Sequence, residues 1–118
     1  MSFRGTTVTF VKRSDGALIG YQAKGHSGYG EAGSDIVCAA ISILTTTCVN
    51  ALESVAGVVP QVIQRDEPVL LEVTLPKGLA PQAQHDAQVL MKALHQGLTD
   101  LSQEYPKNVQ LQERRKHP

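Results

Sequence analysis

β-Branched and apolar residues fill four short stretches of the chain, which is the composition typical of β-strands. Two of them, 6–12 and 17–23, flank the turn residues Ser14-Asp15-Gly16. The other two, 58–65 and 69–75, meet at Asp66-Glu67-Pro68, and apolar residues alternate with polar ones along 69–75. Short polar turns between such stretches predict two β-hairpins, each made of antiparallel strands.

Two longer stretches, 35–56 and 81–104, carry apolar residues at helical spacing. Gly57 and Pro106 supply stop signals, and Pro81 suits a first helical turn. The predicted buried stripe of the first helix is Ala39, Ile43, Leu44, Thr47, Ala51, Leu52 and Val55. The predicted stripe of the second helix is Ala87, Leu90, Met91, Leu94, Leu98 and Leu101.

These elements predict an α+β fold. An antiparallel sheet of two hairpins, to which 109–111 can add a short last strand, is packed on one face by the two amphipathic helices. We expect one domain over residues 1–118, with 114–118 as a frayed basic tail.

Composition narrows the class of protein. The chain has 118 residues, 42% of them hydrophobic, and a formal net charge of zero, which favours one globular domain and gives no reason to expect a nucleic-acid partner. We expect neither a signal peptide at 1–5 nor an apolar run close to the roughly 20 residues that span a membrane. Two cysteines do not resemble a secreted disulfide framework, so a cytoplasmic location is expected. The spacing of His85, His95 and His117 matches no metal site, and we expect no metal and no cofactor.

The candidate catalytic residues lie between the first hairpin and the start of the first helix. Residues 25–33 hold four glycines and predict a loop, and Ser34-Asp35 are residues that cap helices. Cys38 then lies in or just after the first turn, where the partial positive charge favours a thiolate. His26 leaves the end of the second strand and can fold back onto the sulfur. A cysteine and a histidine so placed predict nucleophilic thiol catalysis.

The same residues carry a family resemblance. Gly25-His26, the glycine-rich loop and the segment Asp35-Ile36-Val37-Cys38-Ala39-Ala40-Ile41-Ser42 resemble the signature of the ribosomal-processing cysteine proteases, Prp. The resemblance extends in element order over about Thr6 to Val109. Ser27 stands where the family usually has a small apolar residue. The resemblance implies a homodimer that cleaves the N-terminal extension of bacterial large-subunit ribosomal protein twenty-seven, on an apolar, aromatic-rich segment.

Several neighbours of the predicted dyad have two interpretations. Asp35 is either a helix cap or a group that orients His26. Ser42, four residues after Cys38 on the same helical face, either bonds back to the helix or lines the site, and the family motif carries a serine there. Gly28, Gly30 and Gly33 are turn residues or hinges of a substrate loop, and Tyr29 can stack on a substrate side chain.

Cys48 lies in the middle of the same helix and is predicted to be a buried structural thiol. The sequence therefore favours a cysteine endopeptidase in which His26 activates Cys38. The main alternative is a non-catalytic, ribosome-associated module that binds a protein partner. A thiol redox protein is a weaker alternative, because Cys48 is too far along the helix to share a face with Cys38.

Overall fold

A computed structural model describes residues 5–25, 32–66 and 69–116 of the chain. Five strands and two helices alternate in the order predicted from the sequence. Their bounds are β1 Thr6–Arg13, β2 Leu18–Lys24, α1 Ala32–Ser54, β3 Gln61–Asp66, β4 Val69–Thr74, α2 Pro81–Glu104 and β5 Val109–Lys116. The α+β class and both hairpins are confirmed.

The strands form one sheet in the order β3-β4-β2-β1-β5. Its neighbouring strands are antiparallel except β1 and β5, which run parallel from Thr6↔Val109 to Arg13↔Lys116. The antiparallel pairing predicted for the hairpin strands is confirmed, and the possible last strand is present. Its parallel direction was not predicted; β5 follows α2 and returns to the sheet in the direction of β1.

The last strand is also longer than predicted. The sequence predicts fraying at 114–116, but these residues continue the ladder with β1, and Lys12 Nζ lies 3.2 Å from Glu113 Oε1. Charged residues suit an edge strand, because they discourage pairing with further chains. The basic run therefore belongs to β5, while residues 117 and 118 lie outside the described part of the chain.

Both helices pack on one face of the sheet. Alternate strand residues point toward them and are buried, among them Val8, Phe10, Tyr21 and Val73. The other face carries polar residues in register: Thr9 pairs with Gln22, and Gln22 pairs with Glu72, whose Oε2 accepts a 2.8 Å hydrogen bond from Gln22 Nε2. The core thus lies between the sheet and the helices.

The buried face of α2 was predicted correctly, whereas that of α1 was not. Ala87, Met91, Leu94 and Leu98 are buried in α2. Over residues 36–54, the part of α1 whose side chains the structure describes, the buried residues are Val37, Ile41, Thr45, Cys48 and Leu52. In the predicted α1 stripe, Ile43 is 64% exposed and Val55 is 68% exposed. The sequence could not choose the face, because no charged residue lies between Asp35 and Glu53.

The apolar character of α1 also corrects a second expectation. By length and composition its segment Ile36–Ser54 could cross a membrane, which no apolar run was expected to do. A helix that fills a core meets the same criterion. In this fold, one side of the segment packs against the sheet and α2.

Candidate active site

Cys38 lies in the second turn of α1, six residues after its first residue, Ala32. Its side chain is half-buried, between the buried Val37 and the exposed Ala39. The prediction that Ser34-Asp35 caps the helix is wrong, because α1 begins at Ala32 and both residues lie within its first turn. Since the helix-terminal charge acts mainly within the first turn, Cys38 lies beyond the region where that charge is strongest.

Cys38 lines a cavity of about 270 Å³. Helix α1 supplies one wall of it through Cys38, Ile41, Ser42, Thr45 and Thr46. Ser42 therefore lines the same cavity as Cys38, which agrees with one of the two interpretations of its position. The helical repeat of 3.6 residues places these side chains along one edge of α1.

The opposite wall comes from the second hairpin. Gln64–Asp66 of β3 and Val69–Leu71 of β4 line the cavity, and the first hairpin adds Thr6, Ala23 and Gly25. Sequence reasoning missed the second hairpin as part of the site. The register Lys24↔Leu70 brings the start of β4 beside the end of β2, and no local motif in 64–71 signals that pairing.

Gly25 fixes the direction in which β2 leaves the sheet. Its amide donates to the carbonyl of Val69 at 3.2 Å, and its own carbonyl accepts a 3.2 Å hydrogen bond from Thr6 Oγ1. Its φ is +89°, and a Cβ atom there would meet the Gly5 carbonyl oxygen at 2.8 Å. Glycine is thus required at the residue that precedes His26.

Tyr21 ties Thr45, one of the residues that line the cavity, to the sheet. The Tyr21 hydroxyl donates to the carbonyl of Thr45 at 2.9 Å, while Thr45 Oγ1 donates to the carbonyl of Ile41 at 2.8 Å. Burial, reinforced by the nearby Cys48 thiol, raises the pKa of Tyr21 well above its ordinary value. The phenol therefore stays protonated and holds the third and fourth turns of α1 against β2.

The outcome is different for the remaining predicted site residues. His26, Gly28, Tyr29 and Gly30 lie outside the described residues, so their roles stay predictions. Gly33 was predicted in the loop, but the structure places it in the first turn of α1.

Cys48 has the structural setting predicted for it. It is 5% exposed, its Sγ lies 4.0 Å from Met91 Sδ, and burial raises the pKa of its thiol. No disulfide joins it to Cys38.

A half-buried thiol on a core helix, facing a cleft between that helix and a hairpin, defines a candidate thiol-dependent enzyme on an α+β scaffold. The sequence profile of the family "Cysteine protease Prp" matches residues 6–110. The chain belongs to this family, and it is a cysteine protease by that membership. The main alternative, a non-catalytic binding module, is accordingly disfavoured.

Individual relatives agree with the family match over nearly the whole chain. The ribosomal processing cysteine protease Prp of Bacillus subtilis is 26% identical over 102 residues, covering 86% of this chain and 91% of its own. The crystal structure of SMU.848 from Streptococcus mutans superposes with a TM-score of 0.85 at 30% identity, covering 96% and 97% of the two chains. A structure of the essential ribosomal processing protease Prp from S. aureus with a substrate peptide has a TM-score of 0.80 at 23% identity, covering 92% and 99%, and shows a shared fold.

Proposed function

We propose that Cys38 is the nucleophile and His26 the general base of a peptide-cleaving site. The observation that carries this proposal is the position of Cys38 in a cavity that Gly25, the residue before His26, also lines. In the described part of the chain the second cysteine, Cys48, is enclosed by the core and cannot meet a peptide.

The proposed reaction has two stages. His26 accepts the proton of the Cys38 thiol, the sulfur attacks the peptide carbonyl carbon, and the amine leaves with the proton from His26. Water, deprotonated by the same imidazole, then attacks the thioester and releases the acid and the Cys38 thiol. Atoms and protons balance without a cofactor.

The oxyanion of each stage needs backbone donors nearby. The amide of Cys38 lies within the helix ladder, since only the first four N–H groups of a helix lack a partner inside it. We therefore assign the donors to the amides of the first turn, Ala32–Ser34. Ser34 lies four residues before Cys38, and hence on the same helical face. Ser42 lines the site and can contact substrate, while Asp35 can orient His26.

The proposed substrate is the N-terminal extension of bacterial large-subunit ribosomal protein twenty-seven, cut in an apolar, aromatic-rich segment. Support comes from the names of the B. subtilis and S. aureus relatives, which describe ribosomal processing proteases, and from the resemblance of residues 25–42 to their family signature. A cytoplasmic location follows from such a substrate and fits a thiol-dependent enzyme, because the cytoplasm keeps thiols reduced.

Cleavage of the extended ribosomal protein by the purified chain tests this assignment. We expect a product whose mass corresponds to loss of the extension, at a rate that Cys38→Ala lowers by more than about a thousandfold. Cys48→Ala is the matched control and should keep most of the activity. Equal rates for the wild type and Cys38→Ala would overturn the dyad, whereas an active enzyme that leaves this substrate intact would overturn only the substrate.

We also propose a homodimer. Ile36 and Ile43 are 61% and 64% exposed and lie two turns apart on the outer face of α1. Such apolar side chains on one helix face favour contact with a second copy. We expect sedimentation velocity to show a dimer at micromolar concentration, and Ile43→Glu to shift it toward monomer. Val89→Glu, at an exposed site of α2, is the control. A monomeric wild type would contradict the proposal.

A further inference from the structure

A second cavity, of about 560 Å³, lies at the other end of the sheet. Strands β1, β2 and β4 each contribute to both cavities, from their opposite ends. Thr6 at the start of β1 lines the cavity of Cys38, and Arg13 at its end lines the second one. The two residues are seven positions apart along the strand, about 23 Å at the usual rise. The second cavity is thus separate from the catalytic one.

The walls of this cavity combine apolar and cationic side chains. Ile19, Leu75, Pro76 and Leu79 supply apolar surface. The charged residues that line it are Arg13, Lys77 and Lys116, and no carboxylate lines it among the described residues. Lys116 reaches the cavity because β5 pairs in parallel with β1, which sets it opposite Arg13.

The two lysines carry the unneutralised charge. Arg13 is already engaged, since its Nη2 lies 2.7 Å from Asp15 Oδ2 and its hydrogen bond lowers the pKa of Asp15 to about 2. Neither Lys77 nor Lys116 forms an ion pair with a described residue. Two lysines that line this cavity therefore have no ion-pair partner within the described chain.

The start of α2 adds to the same positive field. Leu79 and Gln84, on either side of the helix start, both line the cavity. The helix has no side-chain cap at Ala80 and no acidic residue in its first turn. The positive end of the helix dipole is consequently uncompensated beside the lysines.

We propose that this cavity binds an organic anion that carries a carboxylate or phosphate head on an apolar body. Its volume lies within the range of about 300–1,000 Å³ that is usual for small-molecule sites. The head would lie between Lys77 and Lys116, near the start of α2. The apolar body would pack on Ile19, Leu75 and Leu79. The site is independent of the proposed protease substrate.

Octanoate is a suitable probe, with octanamide as its uncharged analogue and acetate as its head alone. In ¹⁵N-labelled full chain we expect octanoate to shift the amide signals of Lys77, Gly78 and Leu79 saturably. Octanamide and acetate should each bind at least tenfold more weakly. Lys77→Glu with Lys116→Glu should weaken octanoate binding at least tenfold. Lys92→Glu, at an exposed lysine that lines neither cavity, should change it less than twofold.

Lys77→Met with Lys116→Met gives a second test, because it removes the charges without adding repulsion. It should weaken binding at least fivefold. Absence of saturable shifts in 77–79, equal affinity for octanamide, or wild-type affinity in both double variants would overturn the proposal. Signals that move only around Cys38 would likewise overturn it, because the anion would then occupy the catalytic cavity.

Discussion

Cys38 and Cys48 lie ten residues apart on α1, about 15 Å along its axis. Cys48 faces α2 and the core, where it is 5% exposed and contacts Met91. Cys38 is half-buried and opens onto the cavity between α1 and the hairpin of β3 and β4. The two thiols share a helix and a nearly uncharged sequence context, so the difference in their exposure comes from tertiary packing alone.

The difference shows what makes one cysteine available for chemistry. Burial penalises the charged form of Cys48 and raises the pKa of its thiol, although the Tyr21 hydroxyl partly opposes this effect. The core therefore keeps Cys48 protonated and out of reach of a reagent or substrate. Cys38 instead lies beside a cavity at the end of β2, which stops at Lys24 and continues as Gly25.

The largest expected effect is the contrast in thiol reactivity. At neutral pH, iodoacetamide should alkylate Cys38 at least a hundredfold faster than Cys48, because a reagent reaches the cavity but not the core. Peptide mass spectrometry after timed quenching measures both rates in one sample. In denaturant the two rates should agree within a few-fold. Rapid labelling of Cys48 in the folded protein would contradict the comparison.

Much of the fold could be predicted because its signals are local. Turn residues separate the paired strands, and α2 has a clear apolar stripe between polar faces. The errors come from long-range pairing. The basic residues of β5 look like a tail until the parallel ladder with β1 joins residues about a hundred positions apart. Similarly, α1 starts at Ala32 although Ser34-Asp35 is the stronger local cap.

The site could be predicted only in part for the same reason. Cys38 and Ser42 share a cavity because they are one helical turn apart, which the sequence shows directly. The wall from Gln64 to Leu71 depends on the register of β4 with β2, to which no residue spacing points. Since His26 lies outside the described residues, its pairing with Cys38 stays a prediction.

A smaller effect on activity is expected from a substitution at Gly25, the residue that precedes His26. Gly25→Ala places a Cβ atom 2.8 Å from the Gly5 carbonyl oxygen at a φ of +89°. The backbone before His26 must shift, so we expect at least a tenfold loss in kcat/KM and a stability loss of about 1–2 kcal/mol or more. Peptide cleavage and urea unfolding measure the two quantities.

Gly57→Ala is the matched control at the other end of α1. Gly57 also has a positive φ, +66°, but a Cβ atom there would meet no atom within 4 Å beyond its chain neighbours. It should lose about 1 kcal/mol of stability and keep wild-type kcat/KM. If both variants lose activity equally, general destabilisation rather than the entry to residue 26 explains the effect.

The smallest expected effect concerns Tyr21, which lies next to Cys48 and is linked through Thr45 to the cavity of Cys38. Its hydroxyl bonds to Thr45, which lines the cavity of Cys38, and lies beside the Cys48 thiol. Tyr21→Phe keeps the ring contact with Phe10 and removes the buried hydrogen bond to the carbonyl of Thr45. We expect a loss of about 1 kcal/mol in the free energy of unfolding at pH 7, with kcat/KM changed less than twofold.

The pH dependence of the same variant separates the hydrogen bond from the titration. Because burial raises the pKa of Tyr21 in the folded state, the unfolded chain releases that proton first as the pH rises above about 10. The unfolded state is then favoured, and wild-type stability should fall by up to about 1.4 kcal/mol per pH unit from this group alone. Tyr21→Phe removes the contribution, so its urea-unfolding free energies should decline less steeply between about pH 10 and 11. Parallel curves for the two proteins would show that the Tyr21 phenol titrates alike in both states. The assignment of Tyr21 as a buried, protonated phenol that links the surroundings of Cys38 and Cys48 would then be wrong.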